Sequence, residues 1–170
     1  MIKKNLVLLG MMGVGKTTFG KIIAKELKLR FFDTDRMIEK KNLMSIKKIF
    51  EKKGELFFRK EEEEISLKCL KNDNCVIALG GGGFLNKKIR NLVLLNSVSI
   101  WLKLSVAKLN LRLIRNFKRP LLKKKDNIKI LQELHNKRAP VYKLANYEID
   151  CDKLNFVKIK KKILNIYEIY

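Results

Sequence analysis

The sequence has 170 residues, 46% of them hydrophobic, and its 39 lysine and arginine residues against 17 acidic ones give a net charge of +22. This length predicts one domain with a sizeable core, and the absence of any run of about 18 apolar residues argues against a membrane-spanning helix. The three cysteines lack the spacing of metal or redox motifs, which excludes a disulfide scaffold and leads us to expect reduced thiols in a cytoplasmic protein.

The positive charge is spread along the whole chain rather than concentrated in one segment. Lysine accounts for 31 of the basic residues and arginine for 8, with no arginine-rich arm and no basic patch interleaved with aromatic residues. Proteins whose main partner is a nucleic acid usually concentrate their charge, so we expect no nucleic-acid partner. A positive field still favours the approach of a nucleotide and of an acidic small molecule.

Five short hydrophobic runs alternate with segments of helical periodicity. Strands separated by helices predict an α/β fold with a central parallel sheet, in which ligands bind beyond the carboxyl ends of the strands. The strands are predicted at 5–9, 30–33, 75–79, 97–102 and 147–150, and the helices at 16–28, 35–41, 45–52, 55–71, 87–94, 105–116, 127–144 and 155–167.

The first predicted strand leads into the most informative motif, Gly10-Met11-Met12-Gly13-Val14-Gly15-Lys16-Thr17. It matches the phosphate-binding pattern G-x-x-x-x-G-K-[ST] at every required position. Its glycines let backbone N–H groups turn toward phosphate oxygens, and the following helix N-terminus attracts negative charge. Lys16 can reach the β- and γ-phosphates and the Thr17 hydroxyl can hold Mg²⁺. The alternative is a glycine-rich turn without a ligand.

Two acids, Asp33 and Asp35, follow the second predicted strand. A spacing of two in an extended chain points both side chains toward the ligand edge of the sheet. One carboxylate can order metal-bound water, and the other can accept the hydroxyl proton of a phosphoryl acceptor. In the alternative interpretation, Asp35 is only the N-cap of a helix that begins near Arg36.

Four glycines at 80–83 follow the third predicted strand. They expose backbone N–H groups and let another molecule approach closely, although a flexible turn before a helix is the alternative. A second charged segment, the glutamate run at 61–64, is interpreted as a solvated helix face paired with lysines.

Arginine is rare in this sequence, which makes four of its arginines candidates for binding anions: Arg59, Arg112, Arg119 and Arg138. A guanidinium group is the natural clamp for a carboxylate or a phosphate. Pro120 keeps Arg119 out of a regular helix, so this side chain can swing onto transferring phosphates. Pro140 predicts a kink or a break after Arg138. For each arginine the alternative is a solvated surface residue, and for Arg59 specifically a partner for Glu55 or Glu63.

These motifs, in this order and near this spacing, resemble the shikimate kinase family of the nucleoside-monophosphate-kinase-like P-loop proteins. The resemblance covers about residues 4–150, and its combination of motifs is far more specific than the phosphate loop alone. It is carried by the loop at 10–17, Asp33-Thr34-Asp35, Phe58-Arg59 with the glutamates that follow, the glycines at 80–82, Arg119-Pro120-Leu121-Leu122 and Lys137-Arg138-Ala139-Pro140-Val141-Tyr142.

The resemblance implies a three-layer α/β/α P-loop kinase fold, in which a five-stranded parallel sheet has the order 2-3-1-4-5. It implies ATP-dependent phosphorylation of the 3-hydroxyl of shikimate, in aromatic amino acid (chorismate) biosynthesis, with one Mg²⁺ per subunit. We expect one kinase domain over 1–170, with a shikimate-binding region at about 34–60 and a lid at about 112–126. We also expect a monomer whose partners are shikimate and ATP, with no membrane partner.

The resemblance also implies roles for particular residues. Asp35 is expected to bind substrate hydroxyls and act as the base, Lys16 and Arg119 to act on the phosphates, and Arg59 and Arg138 to clamp the substrate carboxylate. The full ATP site comprises Gly13, Val14, Gly15, Lys16, Thr17, Thr18, Arg112 and Arg119; the shikimate site comprises Asp35, Arg59, Gly80, Gly81, Gly82 and Arg138; the metal site comprises Thr17 and Asp33.

Two other functions remain open from the sequence. One is a different small-molecule or nucleotide kinase on the same fold, such as a gluconate or nucleoside monophosphate kinase. The other is a non-enzymatic basic protein that keeps a nucleotide loop. The two acids at 33 and 35 with the glycine run fit a polyhydroxy acid better than a pocket that stacks a nucleotide base.

Overall fold

The computed structural model of the protein describes residues 4–115 and 127–169. Its strands and helices follow one another in the alternation that the sequence predicts. They are β1 (Asn5–Leu9), α1 (Lys16–Glu26), β2 (Arg30–Asp33), α2 (Thr34–Asn42), α3 (Ile46–Leu70), β3 (Cys75–Ala78), α4 (Lys87–Asn96), β4 (Ser97–Lys103), α5 (Val106–Arg115), α6 (Asn127–Tyr142), β5 (Tyr147–Asp150) and α7 (Phe156–Ile169).

The five strands form one parallel sheet in the order β2-β3-β1-β4-β5, which confirms the predicted order. In the centre, Val7 of β1 lies opposite Ile77 of β3 on one side and Ser99 of β4 on the other. β1 and β3 are buried along their whole length, as expected of central parallel strands covered by helices on both faces. All five carboxyl ends therefore meet at one edge of the sheet.

The two helices predicted at 45–52 and 55–71 are confirmed. They are the two helical segments of α3, which meet at a kink at Gly54, where the backbone is non-helical with φ 80° and ψ 172°. Glycine tolerates this conformation because it has no Cβ. The helical backbone is interrupted there, and the first segment of α3 stands beside the carboxyl edge of the sheet, where Ile46 and Phe50 line a cavity.

The break predicted at Pro140 does not occur. α6 continues through this proline and ends two residues later, at Tyr142. A proline this close to a helix C-terminus removes a single backbone hydrogen bond, so most of the helix is unaffected.

The core holds all three cysteines as free, buried thiols, in agreement with the sequence prediction. Burial raises the pKa of Cys69, Cys75 and Cys151 to about 11 in each case, so these thiols stay protonated and unreactive near neutral pH. None of the helices within 4–115 and 127–169 is long and apolar enough to cross a membrane.

Candidate active site

The phosphate loop connects β1 to α1 and has the backbone shape that its glycines permit. Gly13 and Gly15 have φ of 81° and 110°, a region that favours glycine. Gly15 precedes α1 without a side-chain cap, so the first N–H groups of the helix are not used by a capping side chain. The ammonium group of Lys16 lies over the loop and donates to the carbonyls of Gly10 at 2.8 Å and Met11 at 3.1 Å. This arrangement concentrates positive charge where an anion binds.

Thr17 and Asp33 meet beside this loop. The Thr17 hydroxyl donates to Oδ2 of Asp33 at 2.6 Å, while Oδ1 of Asp33 accepts from the backbone N–H of Arg36 at 3.1 Å. Asp33 is therefore the N-cap of α2, and the interpretation of Asp35 as the cap is wrong. The reason is that α2 begins at Thr34, directly after β2, which also means that the two acids do not share one extended segment.

A cavity of about 590 Å³ opens at the carboxyl edge of the sheet and collects residues from distant parts of the chain. Asp35 reaches it from the first turn of α2, and Arg138 reaches it from α6. Ile46, Phe50 and Phe58 supply an apolar wall that the sequence reasoning did not identify. The predicted site residues that line the cavity are Gly13, Gly15, Lys16, Thr17, Thr18, Asp33, Asp35, Arg59, Gly81, Gly82 and Arg138.

The glycine run after β3 is a packed turn, because charged groups occupy the space beside it. A Cβ on Gly80 would lie 2.6 Å from Oδ1 of Asp35, and one on Gly81 would lie 2.9 Å from Nη1 of Arg138. A Cβ on Gly82 would overlap Nη1 of Arg59. The absence of three side chains in succession thus leaves room for Asp35 and both arginines.

Glu62 is a site residue that the sequence reasoning missed. The prediction of a solvated face at 61–64 is wrong for Glu61 and Glu62, whose exposed fractions are 8% and 3%. Glu62 lines the cavity and accepts from Nη1 of Arg59 at 2.6 Å. A signal for its burial exists: Glu62 follows Phe58 by four residues and precedes Ile65 by three, which places all three on one stripe of α3, and both of these neighbours are buried.

The electrostatics of Glu62 are dominated by its burial. Burial raises the pKa of this carboxyl above its ordinary value, the nearby Asp35 adds to the rise, and the Arg59 guanidinium opposes it. A buried carboxylate is costly unless it is paired. Glu62 therefore holds Arg59 at the cavity wall. Burying its carboxylate costs free energy, and the ion pair with Arg59 offsets part of that cost.

The two arginines differ in how their donors are used. Arg59 forms an ion pair with Glu55 at 3.1 Å, which is the surface pairing given above as its alternative role. It also forms an ion pair with Glu62 inside the cavity. Arg138 is 7% exposed, and its Nε is a buried nitrogen with no hydrogen-bond partner among the described residues. An unsatisfied buried donor costs free energy, and an anionic ligand in the cavity would relieve that cost.

Some predicted site residues stand apart from the cavity lining. Arg112 is exposed on α5, and its Nη1 donates to the carbonyl of Val14 at 3.0 Å, so it touches the outside of the phosphate loop. Val14 and Gly80 are buried behind the loop and the turn. Arg119 and most of the expected lid, residues 116–126, lie outside the described residues.

This combination of parts defines a class of protein. A parallel sheet carries a phosphate loop after its central strand, and the adjoining cavity holds a carboxylate beside two guanidinium groups. That is the arrangement of a P-loop kinase that phosphorylates a small acidic acceptor.

Comparison with known proteins identifies the family. A family model described as shikimate kinase matches residues 12–168. The shikimate kinase of Bartonella henselae is 39% identical over 98% of this chain and 80% of its own length, and that of Caldanaerobacter subterraneus is 40% identical over 96% of both. The structure of shikimate kinase from Acinetobacter baumannii in complex with shikimate superimposes with a TM-score of 0.89 at 32% identity, covering 98% of this chain and 93% of that one.

The chain belongs to the shikimate kinase family. Its activity is the ATP-dependent phosphorylation of the shikimate 3-hydroxyl, in the biosynthesis of aromatic compounds. This confirms the function predicted from the motifs and decides against the two alternatives, a kinase for another acceptor and a binding protein without activity.

Proposed function

We propose that the cavity aligns the 3-hydroxyl of shikimate with the terminal phosphorus of ATP, with Asp35 as the base. The observation that carries this proposal is the convergence of Asp35, Arg59 and Arg138 on one cavity whose other end is formed by Lys16 and Thr17. Holding both reactants in one cavity makes the transfer effectively unimolecular, and shielding it from water suppresses hydrolysis of ATP.

On the nucleotide side, the N–H groups of the loop and the first turn of α1 bind the phosphates, and Lys16 exchanges its loop carbonyls for phosphate oxygens. Gly13, Val14, Gly15 and Thr18 shape this site together with Lys16. Arg112 stands beside the loop, in contact with Val14, and belongs to the nucleotide side. Arg119 is assigned to the lid and to the transferring phosphates on its sequence motif alone.

The Thr17–Asp33 pair fits a magnesium ion. A hydroxyl oxygen and a carboxylate oxygen lie 2.6 Å apart at the edge of the phosphate loop, and Mg²⁺ prefers such hard oxygen donors. Thr17 would bind the ion directly and Asp33 would order its water. A bound Mg²⁺ neutralises charge on the β- and γ-phosphates of ATP.

On the acceptor side, Arg59 and Arg138 hold the shikimate carboxylate, and the backbone of the turn at 80–82 contacts the ring hydroxyls. The buried Nε of Arg138, which has no hydrogen-bond partner among the described residues, can donate to this carboxylate. As the 3-hydroxyl oxygen forms its bond to phosphorus, its proton passes to the Asp35 carboxylate and the bond from phosphorus to ADP breaks.

We further propose a single kinase domain that acts as a monomer in the cytoplasm, without a nucleic-acid or membrane partner. All five strands form one sheet, which supports the single domain.

The proposal is tested by following shikimate-dependent ADP release with Arg138→Ala and Arg30→Ala variants of the full chain. Arg138→Ala is expected to lower kcat/KM for shikimate by about 10- to 100-fold, mainly through KM, because a charge-assisted hydrogen bond is lost. Arg30 is exposed at the opposite edge of the sheet, where it donates to the carbonyl of Asp73, and its substitution is expected to change neither substrate's KM.

Two results would contradict the proposal. An unaltered shikimate KM in Arg138→Ala would remove this arginine from the carboxylate clamp. Folded protein that binds ATP but shows no turnover with shikimate would reject the alignment of the two substrates altogether.

A further inference from the structure

Tyr142 is the last residue of the sequence motif that contains Arg138, but it does not line the cavity. It is the last residue of α6, is 1% exposed, and packs its ring against Trp101 with the ring centroids 5.7 Å apart. Packing of this kind needs only a phenyl ring. A buried tyrosine hydroxyl is costly unless it has a hydrogen-bond partner, so the partner indicates what the hydroxyl does.

That partner is the glycine turn. The Tyr142 hydroxyl donates to the carbonyl of Gly81 at 2.5 Å. Burial raises the pKa of Tyr142 to about 12, with the Arg138 guanidinium opposing the rise. The hydroxyl therefore keeps its proton throughout the neutral range and remains a donor to Gly81 there.

Tyr142, Gly81 and Arg138 form one contiguous unit. Arg138 lies one helical turn before Tyr142 on α6, at the i, i+4 spacing that places two side chains on the same face. Gly81 approaches Arg138 so closely that a Cβ on Gly81 would lie 2.9 Å from Nη1. The last turn of α6 thus contacts the turn at 80–83 twice, once through a guanidinium and once through a phenol.

We propose that Tyr142 is a positioning residue for phosphoryl transfer: by holding the Gly81 carbonyl, it keeps the backbone of the glycine turn at a constant distance from Arg138. Tyr142 does not line the cavity and acts only through these two neighbours. Without the hydroxyl, a run of glycines has many backbone conformations to sample, and the acceptor site loses its preorganisation. This inference rests on the proposed binding of the shikimate carboxylate at Arg138.

The chain offers a matched control for testing this role. Tyr167, in α7, is 3% exposed, and its hydroxyl donates to the backbone carbonyl of Lys4 at 2.9 Å. Lys4 directly precedes β1, so this second tyrosine lies at the amino end of the sheet, opposite the cavity. Tyr142→Phe and Tyr167→Phe therefore remove the same chemical group from two buried sites, only one of which adjoins the acceptor site.

The experiment compares steady-state kinetics and thermal unfolding of the two variants with the unaltered chain. Tyr142→Phe is expected to lower kcat/KM for shikimate about tenfold, with the KM for ATP changed by less than about twofold. Tyr167→Phe is expected to leave both unchanged, although both variants unfold at somewhat lower temperature. Unchanged shikimate kinetics in Tyr142→Phe, or an equal loss in both variants, would overturn the proposal.

Two further measurements separate positioning from other roles. With a pKa of about 12, Tyr142 does not titrate between pH 6 and 9, so the pH profile of kcat/KM should keep its shape in Tyr142→Phe. A changed profile would mean that Tyr142 transfers a proton, which contradicts a positioning role. In an Arg138→Ala background the tenfold loss should shrink, because the residues act as one unit; losses that simply multiply would contradict the coupling.

These outcomes are distinct from failure of the proposed function. If Arg138→Ala leaves the shikimate KM unaltered, the carboxylate clamp itself is wrong. If Arg138→Ala raises this KM and Tyr142→Phe does not, the result supports the binding of the carboxylate by Arg138 and rejects only the positioning role of Tyr142. The gain in unfolding temperature on adding shikimate supplies an affinity readout that is independent of turnover.

Discussion

The two ends of the cavity are built in opposite ways. The proposed nucleotide end comes mostly from one contiguous segment, residues 10–18, and we expect it to bind through backbone N–H groups and one lysine. The proposed acceptor end comes from α2, α3, the glycine turn and α6, and we expect it to bind through charged side chains, among them Asp35, Arg59 and Arg138. One end is therefore a property of a local motif, and the other is a property of how four separate elements pack.

This difference has an energetic consequence. A backbone loop with glycines at its left-handed positions holds its shape without burying a charge. The acceptor end buries Glu62 and Arg138, and each buried charge is costly unless it finds a partner. We therefore expect the acceptor end to be more sensitive to substitution than the nucleotide end, and in ways that leave nucleotide binding intact.

Asp35→Asn should give the largest difference between its effect on turnover and its effect on ATP binding. Loss of the base is expected to lower kcat by about 10²- to 10⁴-fold, whereas ATP binding should change by less than about twofold. Rapid-mixing or steady-state ADP release gives kcat, and calorimetry gives the ATP affinity. An unchanged kcat would refute the assignment of Asp35 as the base.

Thr17→Val tests the other end. Removal of the hydroxyl that bonds Asp33 is expected to weaken magnesium-dependent ATP turnover by about 10- to 100-fold, while shikimate binding in the absence of nucleotide stays the same. Titration of Mg²⁺ in the kinase assay measures the first effect. Thr17→Ser should restore most of the activity, and equal loss in both variants would argue against a role for the hydroxyl.

Gly82→Ala should move one guanidinium without straining the backbone. Gly82 has φ −97° and ψ −17°, which any residue adopts, so the effect comes from the new Cβ overlapping Nη1 of Arg59. Because a flexible side chain can move away at low cost, we expect little change in unfolding temperature but about a tenfold rise in the shikimate KM. An unchanged shikimate KM would contradict this prediction, because it would mean that Arg59 can move and still bind the shikimate carboxylate.

Glu62→Gln should have the smallest effect, seen mainly as a pH dependence of stability. Burial raises the pKa of Glu62 in the folded protein, so its contribution to stability is present at acidic pH and is lost as the pH rises through that raised pKa. Glutamine does not titrate. In urea unfolding, the stability of Glu62→Gln relative to the unaltered chain should therefore increase as the pH rises above the ordinary pKa of a glutamate; the opposite trend would contradict the assigned shift.

Local patterns predicted most of the fold. The strands at 5–9, 30–33 and 147–150 coincide with β1, β2 and β5, because short apolar runs between turn signals leave few alternatives. The division into two helices at 45–52 and 55–71 is also confirmed, because the two segments of α3 meet at the non-helical backbone of Gly54. Glycine adopts a positive φ without steric cost, so it is a local signal for such a kink.

At the acceptor site, the sequence predicted some side-chain positions correctly and others not. The sequence identified Arg59 and Arg138 as candidates because arginine is rare, but it assigned Glu62 to the solvent-facing surface. A run of four glutamates does not indicate which of them face the core. That depends on the phase of the helix against its neighbours, for which the stripe of Phe58 and Ile65 was the available signal.

The sequence by itself determined the phosphate loop, the parallel α/β architecture and three of the charged residues that line the cavity, Asp35, Arg59 and Arg138. A loop of eight residues creates its own binding backbone, so its function can be read locally. Only the tertiary structure decided that Asp33 caps α2, that Glu62 is buried against Arg59, and that Tyr142 holds Gly81. These contacts join helices and turns to the carboxyl edge of the sheet, and burial of a charge or a hydroxyl follows from packing rather than from residue type.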